Sequence, residues 1–107
     1  MTGIFEQILD LFRRNEIVVS NHGYEELSED DIGLRDLLAG VEQGVVIENY
    51  PDYPKGPCVL VLQQDSNGEP IHVVWGIPKD RQSPAVLITA YRPDKNLWSD
   101  DFTRRKP

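Results

Sequence analysis

One cysteine and two histidines in 107 residues leave this chain little covalent or metal chemistry. A lone thiol, Cys58, excludes an intramolecular disulfide and a thiolate metal cluster, so the fold is expected to be held by packing in a reducing compartment. Cys58 lies inside the apolar run Cys58-Val59-Leu60-Val61-Leu62, where a buried, inert thiol is expected. No apolar run approaches the ~20 residues that cross a bilayer. The N-terminus has no basic segment ahead of an apolar stretch, and Glu6 interrupts it early. No signal peptide is expected, and the protein is expected to be soluble and cytoplasmic, with no membrane partner. A Gly-rich phosphate loop, a Ser-His-Asp set and a dinucleotide fingerprint are all missing, so no cofactor is expected. His22-x-x-x-Glu26 could set two ligands on one helical face, but two ligands do not complete a zinc site, and no metal is expected either.

Positive charge is scarce in the first half. Residues 1–53 carry three basic and twelve acidic side chains, a net of −9, and residues 54–107 carry eight basic and six acidic ones, a net of +2. Phosphate recognition depends on clustered Lys and Arg, so this distribution disfavours general nucleic-acid binding. It leaves a local basic group of Arg92, Lys95, Arg104, Arg105 and Lys106, whose simpler reading is a solvated charged tail.

The length suits one domain over 1–107, burying roughly two-thirds of the surface of the unfolded chain. Its expected parts are helical over about 3–43, sheet over about 45–91, and a tail over 93–107. Ile4, Phe5, Ile8, Leu9, Leu11 and Phe12 recur at helical spacing, with Thr2 available as N-cap and Arg13-Arg14 at the negative end of the helix dipole. Ile17-Val18-Val19 leads to Ser20, which can cap a short helix from Asn21 to Leu27, although Gly23 disfavours it. Ser28 ahead of Glu29, Asp30 and Asp31 is a competing start, so this region is either one late helix or two short ones with a turn. Leu34, Leu37, Leu38 and Val41 predict a helix over about 34–43, ended by Gly44. Strand periodicity follows over Val45 to Tyr50, Cys58 to Gln63, Ile71 to Ile77 and Ala85 to Tyr91, with Asn67-Gly68 as a hairpin turn and a loop over 78–84. The expected fold is therefore α+β, with two or three N-terminal helices on one face of a four-stranded antiparallel sheet.

A resemblance runs through about four-fifths of the chain. It is carried by Ser20-x-His22-Gly23-x-Glu25, Ile32, Asp36-Leu37, Gly44-x-Val46-Ile47-Glu48-x-Tyr50-Pro51, Cys58-Val59-Leu60, Pro70-Ile71-His72-Val73-Val74 and Ile88-Thr89-x-Tyr91-x-Pro93-Asp94-x-x-x-Trp98. In these segments the chain resembles the family of domains of unknown function numbered 4258. That family is similar in element order to the RelE/ParE-type and BrnT-type toxins, so the resemblance implies a RelE-like fold, a toxin-antitoxin setting and a toxin-like endoribonuclease or a relic of one. The warrant for the chemistry is fold-level analogy. The family usually has arginines four and eight positions after its first histidine; here those positions are Glu26 and Asp30, a reversal of charge that argues against RNA.

Metal-independent RNA cleavage needs a base, an acid and a cation for the phosphorane. His22, Glu48, His72 and Tyr91 could supply acid or base, and Arg92 the cation. Period-two alternation puts Ile71, Val73, Trp75 and Ile77 on one face and His72, Val74 and Gly76 on the other. Val86, Ile88 and Ala90 are expected to face the core, which leaves Thr89 and Tyr91 beside His72. Against this stand plainer roles: His72 as a structural sheet residue, His22 as a local packing residue, Tyr91 as a strand anchor, Trp98 as a lid over the core edge. Two functional classes therefore stay open. One is a toxin-like ribonuclease using His72, Tyr91, His22, Arg92 and Glu48. The other is a non-catalytic interaction module whose acidic helical face binds an antitoxin-like or other basic protein.

Overall fold

The computed structural model describes residues 3–107. Thr2, the expected N-cap, lies outside them, and α1 (Ile4–Arg13) starts behind Gly3 without a side-chain cap. Its amphipathic spacing buries Ile8 and Leu11. Helix α2 (Asn21–Glu29) is capped by Ser20, whose hydroxyl accepts from the Gly23 amide at 2.9 Å and donates to the Ile88 carbonyl at 2.9 Å. Gly23 is needed where it stands, because a Cβ there would meet the Leu87 carbonyl oxygen at 2.9 Å. The region after Ser20 resolves into two short helices: α2 ends at Glu29 with Asp30 as its C-cap, Asp31 takes a positive φ of 53°, and α3 (Leu34–Ala39) follows. A 3-10 turn over Val41–Gln43 replaces the last part of the expected helix over 34–43.

The expectation of a four-stranded antiparallel sheet is overturned. The sheet has five strands in the order β1-β5-β4-β3-β2, and it is mixed. The additional strand is β1 (Ile17–Val19), which pairs parallel with β5 (Ala85–Tyr91), Ile17 opposite Ala85 and Val19 opposite Leu87. Three β-branched or aliphatic residues are too few to show a period, and their partner lies at the far end of the sequence. The remaining pairs are antiparallel: β2 (Val45–Tyr50) with β3 (Cys58–Gln64), β3 with β4 (Pro70–Gly76), and β4 with β5. The RelE-like arrangement, expected from an element order of helices ahead of an antiparallel sheet, falls too, because β1 comes before α2 and pairs parallel; the α+β class stands. The β3–β4 turn also differs from a two-residue Asn-Gly turn, since only Gly68 takes a positive φ, and the Asp65 carboxylate accepts from the amides of Asn67 and Glu69.

The helices cover one face of the sheet. Ile8, Leu11, Leu27, Ile32, Leu37 and Val41 pack there against Val59, Val61, Ile71, Val73, Trp75, Ala85, Leu87 and Ala90. Gln63 is buried among them and bonded at both ends of its amide: its Oε1 accepts from the Trp75 indole at 3.1 Å and its Nε2 donates to the Leu37 carbonyl at 2.9 Å. Two register shifts set the other face. Between Val74 and Trp75 the partner on β5 jumps from Thr89 to Leu87, and Ile88 is the extra residue. Val86 and Ile88 therefore line the uncovered face, contrary to the simple alternation, while Ala85, Leu87 and Ala90 reach the core. A bulge reverses the phase of a strand part way along. Past it the alternation holds again, and Tyr91 stands opposite His72. The second shift, between Val46 and Glu48, brings Glu48 opposite Leu60.

Candidate functional site

Cross-strand pairing arranges the uncovered face in rows. Leu62, His72 and Tyr91 lie in one row, Glu48, Leu60, Val74 and Thr89 in the next, and Tyr50, Cys58, Gly76 and Val86 beyond. At the His72 end the C-terminal segment returns across the face and closes it. Trp98, 4% exposed, packs its ring edge-on to the imidazole with centroids 4.4 Å apart, and His72 itself is fully buried. The Phe102 carbonyl lies 2.8 Å from His72 Nε2, and the Tyr91 hydroxyl 3.3 Å from Nδ1. A carbonyl only accepts, so Nε2 carries the proton and Nδ1 accepts from Tyr91. Burial pushes the His72 pKa down and keeps the ring neutral; the Phe102 carbonyl and the nearby Glu48 act the other way. Burial likewise raises the pKa of Tyr91.

Glu48 is held by Arg105, whose Nε and one Nη donate to its two carboxylate oxygens at 2.8 and 3.0 Å, and by the Tyr50 hydroxyl. The Arg105 hydrogen bonds are the main reason the Glu48 pKa is lowered. The same guanidinium lies 4.8 Å above the Trp98 ring, a cation–π distance. Arg105 was expected in a solvated tail; it is instead the charged clasp between that tail and β2. Burial raises the pKa of Cys58, which is 3% exposed, as an inert thiol requires.

Of the five residues singled out from the sequence, the structure brings together His72, Tyr91 and, one row away, Glu48. Arg92 turns elsewhere. Its guanidinium pairs with Asp65 at 2.9 Å, and its amide donates to Asp30 at 2.7 Å. Asp30, where an arginine was expected by resemblance, thus has a structural task. His22 stands at the opposite end of the face, 3.5 Å from Glu26, beside a cavity of about 450 Å³ lined with Tyr53, Lys55, Gly76, Val86 and Ile88. That end lies about 13 Å along β4 from His72, at ~3.3 Å per residue. Among the described residues no three His, Cys, Asp or Glu gather as metal ligands. The residues that sequence reasoning missed are Tyr50, Phe102 and Arg105. Tyr50 was within reach, since it follows Glu48 by two on the same strand, whereas the Phe102 contact is made by backbone and has no side-chain signature.

No buried side-chain nitrogen or oxygen among the described residues lacks a hydrogen bond. The cluster is therefore a completed network, with no lone pair on His72 left to take a substrate proton. None of the described helices is long and apolar enough to cross a membrane. No curated protein and no solved structure matches the chain, and no match ties it to RelE, ParE or BrnT toxins. Residues 19–92, more than half of the chain, match the family model described as a domain of unknown function, DUF4258. The chain belongs to the DUF4258 family.

Proposed function

We propose that this domain is a non-catalytic protein-interaction module that takes a basic partner on its acidic helical face. The observation that carries this reading is the charge placement on α2. The helix has no acidic residue in its first turn and no basic residue in its last. The carboxylates of Glu25 and Glu29, one turn apart, are exposed and have no ion-pair or hydrogen-bond partner among the described residues, and the same holds for the carboxylate of Asp31. Like charges at this spacing repel, and carboxylates at a helix C-terminus oppose the dipole. The arrangement works against the fold, and a cationic partner would relieve it. Tyr24, 54% exposed on the same helix, offers that partner an aromatic face. The ribonuclease built on His72, Tyr91, His22, Arg92 and Glu48 is supported less well, because both imidazole nitrogens are already bonded and Arg92 serves Asp65.

The test is fluorescence anisotropy with a Lys/Arg-rich peptide, run on the wild type and on Glu25→Lys/Glu29→Lys, alongside incubation of RNA with the wild type and His72→Ala. Binding that weakens with salt and is lost in the reversed variant is expected, with RNA intact throughout. Equal binding by the reversed variant would remove the interaction reading. RNA cut by the wild type but not by His72→Ala would restore the nuclease.

A further inference from the structure

We propose that Glu48, Tyr50, His72 and Tyr91 form a peptide-binding site occupied in cis by residues 94–106, and that in trans it takes a partner segment pairing a tryptophan with an arginine.

The covering segment is built as a unit. The Ser99 amide donates to the Arg104 carbonyl at 2.8 Å, and the Lys106 amide to the Leu97 carbonyl at 2.9 Å. The Asp101 carboxylate accepts from the hydroxyls of Ser99 and Thr103 and from the Thr103 amide. Most of the segment's backbone amides are thus bonded inside it. It reaches the sheet through three groups: the Trp98 ring on His72, the Phe102 carbonyl on His72 Nε2, and the Arg105 guanidinium on Glu48. Side chains of Arg105 and Glu48 keep 62% and 23% of their exposure, so this clasp sits in solvent, where ion pairs are screened and exchange readily. A loop whose own bonds hold its shape can leave together when those three contacts are replaced.

The chemistry of the occupant defines the chemistry of a competitor. Without the segment, the face presents a carboxylate braced by the Tyr50 hydroxyl, an imidazole N–H donor, and the edge-to-face rings of His72 and Tyr91. These groups call for a cation, a carbonyl acceptor and an aromatic ring at the spacing of Arg105, Phe102 and Trp98. The site is built from residues of β2, β4 and β5 and shares none with the acidic surface of α2. A cis occupant lowers apparent affinity for a trans one by the fraction of time the site is open.

The experiment uses the full chain and a labelled peptide with the sequence of residues 94–107, read by anisotropy. Trp98→Ala/Arg105→Ala, which removes two of the three attachments, is expected to bind the peptide at least about tenfold more tightly than the wild type. Adding Glu48→Gln is expected to reverse that gain, and adding Glu25→Lys/Glu29→Lys is expected to leave it unchanged. Should the double variant fail to fold, Arg105→Ala alone, at an exposed side chain, carries the same comparison. Absence of peptide binding by a folded variant, indifference to Glu48→Gln, or loss through the α2 reversal would each overturn the proposal. The last outcome would put the peptide on the helical face and leave the acidic-face reading standing.

Discussion

Glu29→Lys is expected to stabilise the protein while removing its partner binding. In the native helix Glu29 lies in the last turn of α2, four residues after Glu25, with Asp30 at the C-cap. The substitution exchanges a repulsive i,i+4 pair for an attractive Glu-to-Lys pair in the favourable orientation, a swing of roughly 0.5–1 kcal/mol. It also replaces an anion by a cation at the negative end of the dipole, where each is worth ~0.3–1 kcal/mol before screening. Allowing for exposure, the net gain is about 1 kcal/mol. Helix propensities of Glu and Lys are nearly equal, so the gain is electrostatic. For a chain of 107 residues this raises Tm by about 4–5 °C. The assay is thermal denaturation by circular dichroism at low salt and at 1 M NaCl, where most of the gain should disappear. A Tm unchanged or lowered at low salt, or a gain that survives high salt intact, would refute the argument from charge placement.

Other consequences follow from the buried polar groups and the tail. Because burial holds the His72 pKa below the ordinary 6.5, its contribution is complete above that pH and is lost as pH falls below it, when the unfolded chain takes up a proton that the folded one excludes. The urea-derived stability of the wild type minus that of His72→Phe should therefore fall from pH 7.5 to pH 5, with a slope of at most about 1.4 kcal/mol per pH unit; a flat difference would contradict it. Trp98→Ala should cost about 3 kcal/mol by denaturation and move the His72 titration, followed by NMR, up toward the ordinary range. Gln63→Ala strands the buried Trp75 indole N–H, at about 1–3 kcal/mol by chemical denaturation, whereas the Leu37 carbonyl still accepts from the Gly40 amide. Gly56→Ala should abolish folding, since φ is +135° there and a Cβ would fall 2.1 Å from the Ile77 carbonyl oxygen; a native-like Tm would show that this backbone can shift.

Local patterning made much of this structure legible. The Ser20 cap, the helical spacing of α1 and the pairing of His72 with Tyr91 each depend on residues close in sequence or on a strand alternation that holds at that point. What escaped depends on distant partners. Ile17-Val18-Val19 becomes a strand only because β5 offers it an edge. Val86 and Ile88 changed faces because Ile88 is bulged, and nothing in their own identities announces that. The candidate site was half legible for the same reason. His72, Tyr91 and Glu48 stand where alternation brings them, whereas Arg92 was lost to Asp65 and the true cationic neighbour, Arg105, arrives from the tail.

Parallel pairing of β1 with β5 also governs the order in which the chain can become native. Ser20 hydroxyl and Ile88 carbonyl are separated by 68 positions, and the amide of Ser20 likewise bonds to Leu87. Closing so long a loop is slow, and its entropy must be offset before its contacts contribute. During synthesis, α2 and β1 emerge first yet have no surface to rest on until β5 has left the ribosome. Helix α2 thus waits on the last strand, whereas α1 and α3 can already rest on β3 and β4, and any product ending before residue 85 lacks the element that holds α2 to the sheet.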